Sequence, residues 1–181
     1  MSNLIISTDE EKRLEAELEK RTDAEAARIK RYLAMPDLSR KDTGPIRELV
    51  DRIVALEQFQ EFDIIQVPEI VPASESFDLF NFPADHPARS KSDTYYVDEK
   101  NILRTHTTVM WYYYFLQEEV RTKIAASQPL GVLSYGKVYR KDEIDRRHMN
   151  IFHQVDGLYL HPTSERTITQ DDLKDVLANV V

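Results

Sequence analysis

The chain has 181 residues, 24 Lys and Arg against 32 Asp and Glu, a net charge of −8 and no cysteine. That length allows one domain with an appendage, and the missing cysteines exclude a disulfide framework, thiolate-bound zinc, iron–sulfur clusters and thiol catalysis. The acidic balance argues against binding nucleic acid over the whole surface but leaves room for a local basic site, and no apolar run approaches the ~18 residues of a membrane span. The opening Met1-Ser2-Asn3-Leu4-Ile5-Ile6-Ser7 lacks the basic flank of a signal peptide.

Residues 8–34 contain no Gly or Pro and are dense in Glu, Lys, Arg and Ala. Thr8-Asp9-Glu10-Glu11 has the form of a capping box, so one helix is expected from about residue 9 to Leu33. Its thin stripe (Leu14, Leu18, Ala24, Ala27, Ile29, Leu33) fits a projecting arm as well as a helix lying on its own domain. Residues 35–43 form a polar linker, which divides the chain into a helical arm and linker, 1–43, and a folded domain, 44–181. Gly44-Pro45 opens a second helix with Pro at the first position, and Ile46, Leu49, Val50, Ile53, Val54 and Leu56 give it an apolar face.

Asp63–Val67 reads as a strand closed by Pro68, and residues 74–89, rich in Phe and Pro, as an ordered irregular loop. Residues 93–97 and 102–105 read as a hairpin. A helix over 109–126 follows, with Val109, Leu116, Val120 and Ile124 on its buried side. Residues 132–140 form a strand, 141–150 a charged loop, 151–160 a returning strand, and Thr169 caps a last helix that still runs at Val181. Hairpins without regular βαβ alternation predict an α+β fold with an antiparallel sheet flanked by helices.

The richest chemistry lies between Gly136 and Gln154. From Lys137 to His148 five Lys and Arg stand against three Asp and Glu. A strand–loop–strand hairpin presents such cations at its tip, where they can meet phosphates, and Arg140 at the strand end has the fork suited to bidentate phosphate contacts. Composition alone fits a self-paired, solvated charged hairpin as well. His148 and His153 match no zinc spacing. Arg104-Thr105-His106-Thr107-Thr108, before an aromatic helix, reads either as a small-ligand site or as helix N-cap chemistry with His106 satisfied by a carbonyl. Trp111 to Tyr114 read as core and interface. Glycine motifs for P-loop, dinucleotide or α/β-hydrolase chemistry are absent.

Three blocks in order resemble the catalytic domain of phenylalanyl-tRNA synthetases. They are Phe77-Asp78 with Pro83-Ala84-Asp85-His86-Pro87-Ala88-Arg89 and Asp93-Thr94-Tyr95-Tyr96; Leu103 through Thr108; and Gly136-Lys137-Val138-Tyr139-Arg140 through Arg147-His148 to Phe152-His153-Gln154-Val155-Asp156-Gly157-Leu158. The resemblance covers roughly residues 45–180. It implies a class II synthetase that activates L-phenylalanine with ATP and Mg2+, releases pyrophosphate and transfers the amino acid to tRNA(Phe) in the cytoplasm. It implies the α chain of a two-subunit enzyme with a β subunit in a heterotetramer. A monomeric organelle-type enzyme and a non-catalytic synthetase-like binding protein are the alternatives.

The resemblance also assigns roles. Arg140 would hold the α-phosphate, Asp142 read adenine, His148 reach the outer phosphates and Phe152 stack on adenine. His106, Thr108, Gln154 and Asp156 would surround the amino acid, and no metal ligand is expected within the chain. Thr108 stands where the family usually has Ser, and Asp156 where it usually has Glu. Residues 158–181 contain no Gly, so the family's last, Gly-rich motif has no counterpart. The 181 residues are therefore expected to be incomplete at the C-terminus, weak in ATP binding, unable to aminoacylate alone and prone to associate through an open sheet edge.

Overall fold

A computed structural model describes residues 2–180. Its main sheet has four strands in the order β1-β2-β5-β6. Strand β1 (Asn3–Ile5) runs parallel to β2 (Asp63–Gln66), Leu4 opposite Ile65. Strand β2 in turn runs parallel to β5 (Leu130–Tyr139), and β5 pairs antiparallel with β6 (Ile151–Leu160) along its whole length, from Leu130 opposite Leu160 to Tyr139 opposite Ile151. The α+β architecture with helices flanking a sheet is as expected. The sheet is mixed, however, and not antiparallel throughout, because the connections from β1 to β2 and from β2 to β5 are long enough to cross over.

The N-terminal helix divides in two, α1 (Asp9–Lys20) and α2 (Ala24–Leu33). Neither Gly nor Pro breaks it. Asp23 does, by accepting a hydrogen bond from the Ala26 amide at 2.9 Å as a second N-cap, while the Arg21 guanidinium grips the same carboxylate and the Val97 carbonyl. Of the two readings of this region, the packed one is found. Leu14, Leu18, Ala26, Ile29 and Tyr32 are buried in one cluster with Ile70, Tyr95, Leu103 and Tyr139. Leu14→Ala would therefore cost about 2–5 kcal/mol, the range for a truncated core side chain.

Helix α3 (Pro45–Val54) begins after Gly44, whose φ of +136° favours glycine, with Pro45 in the first turn. Val50 and Ile53 are buried, while Leu49 faces out. Strand β3 (Ile70–Pro72) is a strand that the sequence reading missed. It pairs antiparallel with β4 (Asn101–Leu103), and of residues 93–97 only Tyr96 bridges to Ile102. The stretch read as irregular contains a short helix, α4 (Ala73–Phe77), and two single 3-10 turns, Asp78–Phe80 and Pro87–Arg89.

The expected long helix is also broken. A 3-10 turn, Thr107–Val109, leads into α5 (Met110–Leu116), and α6 (Glu118–Ala125) starts afresh after Gln117, whose backbone is extended. The break keeps Val109 and Val120 in the core but turns Leu116 and Ile124 outward, contrary to expectation.

Strand β5 lies between two neighbours and is buried except at Tyr135, whereas β6 is an edge strand with Val155, Tyr159 and Leu160 exposed. At Gly131 an added Cβ would come within 2.4 Å of the Phe62 ring. The glycine thus makes room for Phe62, which stacks at 5.5 Å on Tyr159, the cross-strand partner of Gly131. Helix α7 (Gln170–Val180) opens with a reciprocal cap between Thr169 and Asp172. Val176 and Val180 pack on Ile53, Phe59, Ile64 and Leu133, while Leu173 and Leu177 stay exposed. Val181, to which that helix was expected to run, lies outside the described residues.

Candidate functional site

Strand alternation decides which residues of β6 can work together. Phe152, Gln154 and Asp156 point to the face occupied by the 105–108 turn and Arg140. Gln154 Oε1 accepts from the Thr107 amide at 3.3 Å, Thr108 Oγ1 donates to Asp156 Oδ2, and the Arg140 guanidinium lies over the Phe152 ring, 5.0 Å from its centroid. His153 points the other way, into the linker, where its Nε2 accepts from the Leu38 amide at 2.9 Å beside Asp37. It stays apart from the 105–108 turn but, with Leu38, borders the cleft that Arg140 and Phe152 line, and burial holds its pKa below the ordinary imidazole range.

The half of the site around His106 is enclosed. His106 Nε2 donates to the Ser76 carbonyl at 3.0 Å, which fixes the tautomer and leaves Nδ1 buried without a partner. Burial depresses its pKa, so the ring is neutral. The Phe80 ring meets His106 edge-on at 5.1 Å and Trp111 at 5.5 Å. Both carboxylate oxygens of Asp156 are engaged, one by Thr108 and the other by the Gly157 amide at 3.0 Å. The capping alternative for Thr107 and Thr108 is not what is found: the 3-10 turn has no side-chain cap, and the Thr107 hydroxyl is buried unpaired.

Further buried polar atoms without partners sit on Ser76, Trp111 and Ser134, and Ser134 lies opposite Asp156 in the sheet register. Buried polar atoms are normally satisfied, so this concentration is what a polar ligand would complete. Ser76, Phe80 and Ser134 were missed from sequence. Nothing in their local pattern marks them, because only the fold brings the 73–80 segment and β5 to one face.

The half of the site around Arg140 is open. Arg140 is exposed, with its Nε donating to the Thr105 carbonyl at 3.2 Å. The loop after it is held by Asn150, whose amide group donates to the carbonyls of Arg140 and Asp142. His148 lies out on the loop, its Nδ1 2.9 Å from Asp145 Oδ1. That carboxylate raises the histidine's pKa, while the amides of Arg147 and His148 lower the pKa of Asp145. Arg140, Asp142, His148, Phe152 and Gln154 line one cleft of about 660 Å³ beside the edge of β6, with Leu49 of α3 across from them. His106, Thr108 and Asp156 do not line it.

Of the cations counted in this segment, two are spent on structure. Lys137 is buried, donating to the carbonyls of Leu33 and Met35 and pairing with Glu69. Lys141 pairs with Glu25. Arg140, Arg146 and Arg147 remain exposed on the hairpin. Among the described residues no group of three His, Asp or Glu gathers as a cation site.

The model of the tRNA synthetases class II core domain (F) matches residues 30–181. The phenylalanine–tRNA ligase alpha subunit of Caldicellulosiruptor bescii is 37% identical over 116 residues, 64% of this chain and 31% of that protein. Its namesake in Petrotoga mobilis is 40% identical over 115 residues, 62% and 30% of the two chains, and that in Mycobacterium avium 36% identical over 149 residues, 79% and 41%. The chain thus spans about a third of the length of the curated relatives it matches. A solved pyrrolysyl-tRNA synthetase from Desulfitobacterium hafniense superposes with a TM-score of 0.59 at 21% identity, covering 99% of this chain and 68% of that one, a likeness of fold. With a family match over most of its length and a sheet that brings the matched blocks to one face, the chain belongs to the class II tRNA synthetase core domain (F) family.

Proposed function

We propose that this chain contributes the ATP and amino-acid sites of a phenylalanine–tRNA ligase α subunit, acting with a β-subunit partner in the cytoplasm. The observation that carries the reading is the convergence of Arg140, Phe152, Gln154 and Asp156 with the 105–108 turn on one sheet face. The names of the curated relatives support phenylalanine as the amino acid and an α-type chain over the organelle type. Residues 44–181 carry the partial catalytic domain, and the segment before it adds strand β1 to its sheet and helices α1 and α2 to its core.

In this reading a carboxylate oxygen of phenylalanine attacks the α-phosphorus of ATP, the bond to the bridging oxygen breaks and pyrophosphate leaves. A hydroxyl of the terminal ribose of tRNA(Phe) then attacks the adenylate carbonyl and AMP leaves. The protein supplies position and charge, not a nucleophile. Arg140 meets the charge that develops on the phosphate, and Phe152 offers a ring face to adenine. Asp142 and His148 reach the base and the outer phosphates from the loop. Neutral His106, Thr108, Gln154 and Asp156 hold the amino acid. Magnesium, bound to the phosphates, supplies additional charge neutralisation.

The test is phenylalanine-dependent exchange of pyrophosphate into ATP by the α chain assembled with its β subunit. Exchange with phenylalanine and with no other amino acid is the expected result. Absence of exchange, with ATP and phenylalanine both failing to bind, would leave a synthetase fold without the activity and favour the non-catalytic alternative.

A further inference from the structure

Arg104 opens the polar block that precedes α5, yet it touches no ligand-facing residue through its side chain. It is 2% exposed, and its fork is spent on backbone carbonyls. Nε donates to Lys137 O at 2.8 Å, and one terminal nitrogen donates to Val67 O at 2.6 Å and Pro68 O at 3.3 Å. Its own backbone ties the same parts together, its amide donating to Glu69 O at 2.9 Å and its carbonyl accepting from the Tyr139 amide at 3.0 Å. The next carbonyl, that of Thr105, receives Arg140 Nε at 3.2 Å.

Space has been left for this fork. An added Cβ on Gly136 would sit 2.5 Å from the second terminal nitrogen of Arg104. A group that merely filled the interior would be apolar, because burying a guanidinium carries a desolvation penalty. What a guanidinium offers is a rigid planar fork with donors at fixed angles. We infer that Arg104 is a positioning residue, fixing the 105–108 turn against the end of β5 and thereby the placing of Arg140. The geometric part stands on the contacts alone, whereas the consequence for ATP rests on the proposed function.

The experiment reads both parts separately on the 181-residue protein. Hydrogen exchange of the Arg140 Nε–H, observed by NMR and assigned by its loss in Arg140→Lys, reports the bond to Thr105 without any ligand. Arg104→Lys, which keeps the charge and loses the fork, should speed that exchange by about tenfold, the factor that goes with roughly 1.4 kcal/mol. Gly136→Ala displaces the fork from the side of β5 and should do the same if the lysine variant does not fold. Ile53→Val, a destabilising change in the separate cluster under α3 and α7, should leave it unmoved.

Unchanged exchange in the Arg104 and Gly136 variants would overturn the inference, as would equal acceleration in Ile53→Val. Titration with millimolar MgATP, followed on the same resonance, reads the second part. Arg104→Lys should weaken binding by about tenfold. When binding is followed instead by the ATP phosphorus signals, it should add no further loss to Arg140→Ala. Additive losses would mean that Arg104 acts on the fold in general and overturn the inference. A wild-type protein blind to MgATP would overturn the consequence for ATP in these 181 residues, while the exchange measurement still decides the positioning role.

Discussion

The two halves of the site are built in opposite ways. Around His106 the side chains are held by the protein itself: the ring is fixed by Ser76, Asp156 by Thr108 and Gly157, and Gln154 by Thr107, while buried polar atoms of His106, Ser76, Thr107 and Ser134 stay unpaired. Around Arg140 the side chains are exposed, and His148 is tethered only to a residue of its own loop. In the proposed function a small amino acid of fixed shape would meet a preorganised cage, whose ordering cost is met during folding. A triphosphate is long and changes its charge distribution during reaction, which suits cations on a loop that can follow it.

The largest effect expected from this contrast is on chemistry. Arg140→Ala should lower pyrophosphate exchange by about 100-fold or more, since it removes charge stabilisation from the transition state. Phenylalanine binding in the absence of ATP should not change. Near-normal exchange in that variant would erase the division between the halves.

The next effect is on the enclosed half alone. Asp156→Ala frees the Thr108 hydroxyl and should raise the phenylalanine KM by about tenfold or more with the ATP KM unmoved, the signature of lost ground-state binding. An equal rise in both constants would show that the halves are not separable.

Stability should divide in the same way. His106→Ala removes a buried ring from between Phe80 and the Ser76 carbonyl and should cost about 1–3 kcal/mol in denaturant unfolding. His148→Ala, on the exposed loop, should leave the midpoint where it was. A destabilised His148 variant would mean that the loop is more firmly held than its contacts imply.

The smallest effect is a pH dependence. Burial keeps the folded pKa of His106, and likewise of His153, below the unfolded value. The stability each contributes is complete above the unfolded pKa of about 6.5 and is lost as the pH falls below it. His106→Gln should flatten part of the decline in melting temperature between about pH 7 and pH 5, and His106→Gln with His153→Gln more of it. His148 has the opposite sign, its pKa raised by Asp145. What it contributes is present below the unfolded pKa and fades as the pH rises, and its exposure keeps that contribution small.

Much of this arrangement was legible in the sequence where the signal was local. Strand β6, the charged loop before it, the Thr169 cap and the Pro45 helix start all follow from alternation, composition and capping chemistry. The breaks at Arg21–Asp23 and at Gln117 were not legible in the same way. Asp23 is an N-cap hidden in a helical composition, and Gln117 is extended in a run of good helix formers. Strand β1 was missed because three residues carry no period, and its pairing with β2 is set by a partner about 60 residues away. The site divided along the same line. Arg140, Phe152, Gln154 and Asp156 share one strand-end pattern. Ser76 and Phe80 arrive from one segment and Ser134 from another, and only the fold decides that they meet.

The parallel order of β1, β2 and β5 bears on how the chain comes to be folded as it is made. Residues 3–5 pair with 64–66, and residues 63–65 pair with 132–134, so the strand at the centre of the sheet is synthesised long after its two neighbours on one side. Until it leaves the ribosome, the inner edge of β2 has nothing to hold, and the helical pair lacks the Tyr139 ring on which its core closes. Sheet formation of this kind is slow because long loops must close before any pairing is rewarded. For the time needed to add about 70 residues, some seconds at ordinary synthesis rates, the nascent chain carries an unpaired strand that a chaperone, or another nascent chain, can bind.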